Sequence, residues 1–257
     1  MKLFKKFKKQ KDNKDTSIDI QEAFKLNLKY ISDNCKDVNV IRNQFVKTNT
    51  RYYLTVGEIN CPTGRIVVSD PLAYLASERF SPVLENQVPI GKYPVEVSIC
   101  RSDLIGIRMC TLKMKIKSSD AIRYELAKST QESAVAKGKD GIINGFPVDA
   151  GMVCICDEKV AKEYQSFINE WYKQNPDGNH YDDYFSDFFK QSACTLPQYQ
   201  RDEGDFIEWV NPYTKNRMVM VASGLGDGFY QSYWGYDKHG EICELIIPMV
   251  NPDFFGV

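Results

Sequence analysis

At 257 residues, with 43% apolar and 26% charged residues, the chain falls in the ordinary globular range and can bury a sizeable core in one large domain or two small ones. Its formal net charge of −1 removes any global electrostatic reason to expect nucleic acid as a partner of the folded part, because such binders carry a strongly basic face. No run of 18 apolar residues occurs, which excludes a spanning helix.

The charge is unevenly placed. Residues 1–15 hold seven lysines against Asp12 and Asp15, so this stretch carries +5 and the remainder −6. Met1–Lys9 has the charged start of a signal peptide without the apolar stretch that should follow, so secretion is not expected. Residues 1–16 are expected to be a disordered basic tail. It is either a solvated extension or a weak contact for an anionic membrane or nucleic acid, with Leu3, Phe4 and Phe7 as shallow apolar contacts.

Ser17 or Thr16 can then cap a helix over 17–34, in which Ile20, Phe24, Leu28 and Ile31 repeat at helical spacing. From Arg51 the pattern changes to strands. Tyr52–Ile59 and Gly64–Val68 are β-rich runs, and Val95, Val97 and Ile99 alternate with Glu96 and Ser98. Ile105, Ile107 and Met109 are one residue out of phase with Leu112, Met114 and Ile116, which predicts a bulge near Cys110–Leu112. Arg108, Lys113, Lys115 and Lys117 on the alternate positions predict a wet sheet face, and hence antiparallel pairing.

Residues 118–146 are weakly patterned: Ala121–Ser133 reads as helix or strand, and Lys137–Gly141 as loop. Pro147–Cys156 reads as one strand. Asp157 then caps a helix carrying Val160, Ala161, Tyr164, Phe167, Ile168 and Trp171 on one side. After the Asn175–Gly178 turn, a second helix presents Tyr181, Tyr184, Phe185, Phe188 and Phe189, an aromatic stripe of the kind that faces a core. Met218–Ala222 is a buried run, and Phe229–Tyr236 reads as one strand with Tyr230, Ser232, Trp234 and Tyr236 on one face. Asp237–Gly240 turns that strand into a return strand over Glu241–Ile247. The sum is an α+β fold over 17–257 with a predominantly antiparallel sheet, an N-terminal helix, an inserted helical pair and a C-terminal β-hairpin.

Eight scattered cysteines without a C-x-x-C pair read as reduced thiols, and with no export signal the expected location is cytoplasmic. Cys154 and Cys156 share a strand face, but the further ligands of a zinc site are wanting, and no metal or cofactor is expected. Gly224-x-Gly226-x-Gly228 has the wrong spacing for a dinucleotide or P-loop site and is followed by a strand. Its glycines fit a tight bend, although successive backbone N–H groups there can also form an anion nest. Asp70, Asp149 and Asp227 beside turns can together hold a divalent cation or divide acid and base roles, and each can equally accept backbone N–H bonds. His180 and His239 read as solvent-facing, and no catalytic residue is assigned.

Asp70-Pro71, Val88–Val95, Val148–Gly151, Ser223–Tyr230 and Trp234–Asp237, in this order, resemble the mainly bacterial domain-of-unknown-function family four-two-four-one over roughly residues 64–250. The resemblance implies a compact β-rich domain and no reaction. It directs attention to Asp70, Tyr93, Asp149, Gly226, Asp227, Tyr230 and Tyr236 as residues able to line one pocket.

Without a catalytic signature, and with abundant tyrosine and acidic groups, the leading expectation is a non-catalytic binding protein, either neutralising a toxin as a protein partner or sensing a ligand. The alternative is a metal-dependent hydrolase or phosphoryl-handling enzyme built on Asp70, Asp149 and Asp227.

Overall fold

The computed structural model describes residues 26–27, 37–76, 80–133, 136–138, 141–255 and 257. The basic tail lies outside them, as does the helix expected over 17–34 except for Leu26 and Asn27, which are helical.

In chain order the described strands are β1 (Arg51–Cys61), β2 (Arg65–Ser69), β3 (Val83–Gln87), β4 (Gly91–Ser102), β5 (Gly106–Lys115), β6 (Arg123–Leu126), β7 (Ala136–Gly138), β8 (Gly141–Ile143), β9 (Phe146–Val148), β10 (Met152–Asp157), β11 (Phe206–Val210), β12 (Arg217–Ala222), β13 (Gly228–Tyr230), β14 (Tyr233–Tyr236) and β15 (Ile242–Pro248). Besides the helical Leu26 and Asn27, the α-helices among the described residues are α1 (Val38–Gln44), α2 (Glu158–Gln174) and α3 (Ser186–Thr195). Two antiparallel sheets dominate, one ordered β1-β4-β5-β15-β14-β6 and the other β11-β12-β10-β2-β3. The fold is α+β.

The layering follows from which strands are apolar on both faces. All six residues of β10 are buried, because β10 sits mid-sheet, with α2 on one side and β1 of the larger sheet on the other. One apolar core cluster therefore draws on both sheets and on α2. On the far side of the larger sheet, α1 packs Ile41 against Ala121, Tyr124 and Ile246. This corrects the wet-face reading of β5. Lys113 is buried, paired with Glu96 at 2.7 Å and set over the Phe45 ring at 3.6 Å, a cation tolerated inside because both an anion and an aromatic face meet it.

The predicted bulge is present: Ser98 pairs with Thr111 and Ile99 with Met109, so Cys110 is the extra residue. Several other expectations change. Pro147–Cys156 is two strands, β9 and β10, parted by the Asp149–Gly151 turn. Phe229–Tyr236 is likewise two: β13 pairs with β9, whereas β14 pairs with β15 and β6. Within 118–146 the chain forms β6 and the small antiparallel pair β7–β8, so Lys137, Gly138 and Gly141 of the expected loop belong to strands, and residues 139–140 lie outside the described residues. The hairpin of β14 and β15 around Asp237–Gly240 forms as expected, with Gly240 at φ 76°.

Aspartate 157 caps α2 through the Lys159 N–H at 2.8 Å, as the sequence predicts. Its other oxygen accepts from the Thr63 N–H and hydroxyl and the Gly64 N–H, so one buried carboxylate ties the β1–β2 turn to the helix start. The second helical segment departs from a regular helix. Residues Tyr181–Phe185 form a π turn before α3 begins, and the wider turn displaces the aromatic stripe: Phe185 and Phe189 are buried, while Phe188 is 44% exposed.

Candidate functional site

A cleft of about 930 Å³ opens where five separate stretches of chain meet. They are the turn after Asp70 (Leu72, Ala73), the β9–β10 turn (Ala150, Gly151), the glycine loop Ser223–Gly226, the end of α2 with the π turn (Tyr172, His180), and the loop Arg201–Gly204, with Arg108 of β5 completing the lining.

Each wall is fixed by buried hydrogen bonds. Asp70 is fully buried, and its carboxylate accepts four backbone N–H groups: Leu72 at 2.9 Å and Ala73 at 3.2 Å on one oxygen, Asp149 at 3.0 Å and Ala150 at 2.7 Å on the other. The same side chain therefore caps its own turn and clamps a turn about 80 positions further on, which closes one side of the cleft. Burial pushes the Asp70 carboxyl above the ordinary carboxylate range, with the four N–H groups pulling it back down. From α2, the Tyr164 hydroxyl donates to the Pro71 carbonyl at 2.7 Å and holds that turn against the helix.

The glycine loop is folded around a hydroxyl. Tyr230, fully buried on β13, has its oxygen 2.7 Å from the carbonyl oxygens of both Ser223 and Gly226, and the Ser223 hydroxyl donates to the Gly226 carbonyl at 2.8 Å. Burial raises the Tyr230 phenol well above its ordinary value, so it stays a donor. Gly224 is required by space as well as by its φ of 72°, since a Cβ there would sit 2.6 Å from Val250 and 3.0 Å from the Met109 carbonyl oxygen. Gly226, at φ 109°, faces open space.

On the opposite wall, His180 Nδ1 is 2.7 Å from the Tyr172 hydroxyl, and the ring also hydrogen-bonds to the main chain of Leu72. Burial lowers the His180 pKa, the Leu72 bond and the Asp70 charge opposing it, so the ring is held neutral between two partners. His180 is thus a half-buried cleft residue, contrary to the solvent-facing expectation, whereas His239 is exposed. The seven described cysteines other than Cys35 are free thiols, and all but Cys194 are buried.

The residues singled out from the sequence do not gather in one pocket. Gly226 lines the cleft, and Asp70 and Tyr230 buttress it from beneath. Asp149 and Asp227 are exposed on two of the cleft-forming loops, where Tyr74 hydrogen-bonds to Asp149; burial first, then the charges of Asp149, Asp70 and Asp227, raise the Tyr74 phenol. Tyr93 is buried on β4 with its hydroxyl on the Pro89 carbonyl, and Tyr236 lies on β14 under the Arg123 guanidinium at 4.0 Å, both outside the cleft lining. Among the described residues, no group of three His, Cys, Asp or Glu side chains is placed to hold a metal ion. Tyr172, His180, Arg108 and Arg201 were not singled out from the sequence. Their nearest signal in the sequence is the spacing of Arg201 four residues before Asp205.

Residues 59–247 match a family described as "Protein of unknown function (DUF4241)". The chain belongs to this family. The DUF4241 match spans all five stretches that form the cleft, together with β1 from Ile59 onward and β15 up to Ile247. No curated protein and no solved structure matches the chain. Among the described residues, no helix is long and apolar enough to cross a membrane.

Proposed function

We propose that this DUF4241 protein is a non-catalytic binding protein that takes a small ligand in the cleft bounded by the Asp70 turn, the β9–β10 turn and the glycine loop. The observation that carries the reading is the cleft itself. Its volume of about 930 Å³ suits a small molecule, and its walls are preformed by buried hydrogen bonds that need no ligand to set them.

Binding is favoured over catalysis by what the acid–base groups beneath and beside the cleft are already doing. Both oxygens of Asp70 are engaged by main-chain N–H groups, and His180 is held by Tyr172 and Leu72. A metal-dependent mechanism on Asp70, Asp149 and Asp227 would have to break those bonds at Asp70. The concave shape supports the ligand-sensing form of the reading over the toxin-neutralising form, which calls for an exposed recognition face.

The test uses the full-length protein and an Ala150→Trp variant, whose indole would fill the cleft from an exposed position that lines it. Both are incubated with a small-molecule cell extract and examined by native mass spectrometry. A stoichiometric mass adduct on the wild type, lost in the variant, is the expected result. Adducts of equal abundance on both proteins, or none on either, would overturn the reading.

A further inference from the structure

The charges facing the cleft are unbalanced in a specific way. Asp205 is almost fully buried and commits both carboxylate oxygens to Arg201: one accepts from Nε at 2.8 Å and Nη2 at 2.6 Å, the other from the Arg201 main-chain N–H at 2.8 Å. Arg201 is thereby ion-paired, two of its guanidinium N–H groups falling on one carboxylate oxygen. Arg108 lines the same cleft and has no such partner. Its Nη1 donates to the carbonyl of its own neighbour, Ile107, at 2.7 Å, and among the described residues no carboxylate lies within ion-pair distance.

A guanidinium has five N–H donors and cannot shed its proton in a protein. Arg108 is half-buried, so part of its hydration is already lost. Burial first, and the neighbouring Arg201 charge next, work against its positive state, with the charges of Asp205 and Cys100 opposing them. The acidic residues of the lining, Asp202 and Glu203, are exposed and so are screened by water.

A second set of donors stands on the same cleft. The main-chain N–H groups of Gly224 and Leu225 donate to no acceptor among the described residues, while the tight turn they form directs the Gly226 N–H towards the Ser223 carbonyl. Unused N–H groups in consecutive loop residues are the material of an anion nest.

Resting on the binding reading above, we propose that the ligand is a small molecule bearing an oxyanion group, phosphate or carboxylate, gripped by the free donors of Arg108 and by the main-chain N–H groups of Gly224 and Leu225. The unpaired guanidinium supplies the charge, the loop supplies neutral donors, and the Arg201–Asp205 pair fixes the neighbouring wall. Phosphate and carboxylate share the geometry that a guanidinium fork recognises, so the two are separated by experiment.

Inorganic phosphate and acetate are titrated separately into isotope-labelled wild-type protein at constant ionic strength, with chloride as the control. The expected result is a saturable shift of the Gly224 and Leu225 amide resonances with one or both oxyanions and none with chloride. The stronger of the two identifies the class. Arg108→Gln should weaken that binding by about tenfold to a hundredfold, the usual range for a charge-assisted hydrogen bond. Arg217→Gln removes the same charge from outside the cleft lining and should bind as wild type does.

Absence of saturable shifts, or shifts on surfaces away from the loop, would overturn the inference even if Arg108→Gln failed to fold, because that measurement uses the wild type alone. Equal affinity in Arg108→Gln and the wild type would overturn it too. If the extract adduct is lost in Ala150→Trp yet neither oxyanion binds, the oxyanion inference fails and the binding reading stands. If neither kind of binding is seen, both fail.

Discussion

Single side chains hold the candidate site in shape, and Tyr230 is the clearest of them. Its hydroxyl lies between two loop carbonyls at 2.7 Å each, in a position without solvent exposure, so removing it strands acceptors that water cannot easily reach. Tyr230→Phe is expected to cost about 1–3 kcal/mol of stability, the penalty for unsatisfied buried groups, and to accelerate amide exchange at Gly224–Gly226. Chemical denaturation and hydrogen exchange check both, and a variant as stable as the wild type with an unchanged exchange pattern would refute the role. The aromatic residue and the glycines were legible in the sequence; their joining was not, since the hydroxyl bonds backward across its own loop. Asp70 shows the same limit. Its cap on Leu72 and Ala73 is local and readable from Asp-Pro, whereas its hold on Asp149 and Ala150 depends on how distant turns come together.

Elements were legible where one local rule sufficed and illegible where a sequence pattern ran through a break. The alternation across 229–236 is continuous in sequence, yet Gln231 and Ser232 carry the chain from β13, paired with β9, to β14 in the larger sheet. The i, i+3, i+4 stripe at 181–189 assumes 3.6 residues per turn, and the π turn at Tyr181–Phe185 breaks that count beside the cleft. The β14–β15 turn, by contrast, is local, and its aspartate makes it sensitive to pH. Asp237 accepts from the N–H groups of His239 and Glu241 through one oxygen and from the Ser119 hydroxyl through the other. Burial pushes its pKa up, but the Glu241 N–H, the Ser119 hydroxyl and the His239 N–H together outweigh that and leave it below the ordinary aspartate value. A carboxylate held down in the folded state adds stability above its unfolded pKa and loses it as pH falls through the folded-state value. Asp237→Asn should therefore melt below the wild type at neutral pH, and the gap should narrow as the pH drops through that acid range. Thermal melts across pH check this, and a gap that stays constant or widens on acidification would contradict it.

At the scale of the whole molecule, the antiparallel α+β class could be read from alternation and turn signals, but the order and stacking of the two sheets could not, because both depend on contacts between residues far apart in sequence. β1 makes the joint. It pairs with β4 in the larger sheet while lying across β11 and β12 of the smaller one, and the Glu58 N–H reaches Glu208 Oε1 at 2.8 Å and Asn60 Oδ1 the Arg217 N–H at 2.9 Å. The crossing is close because Gly57, at the register shift in β1, has no side chain; a Cβ there would lie 2.9 Å from both Glu208 Cβ and Val219 Cγ2. One of these atoms is anchored next to the main chain of β11 and the other is in the packed core of β12, so neither can yield without moving its strand. Gly57→Ala is therefore expected to destabilise the protein by about 1–3 kcal/mol through overpacking between the sheets, with the denaturant slope unchanged because the surface exposed on unfolding stays the same. An urea titration gives both quantities. A Gly57→Ala midpoint equal to that of the wild type would mean that the sheets are not held as closely at β1 as this geometry requires.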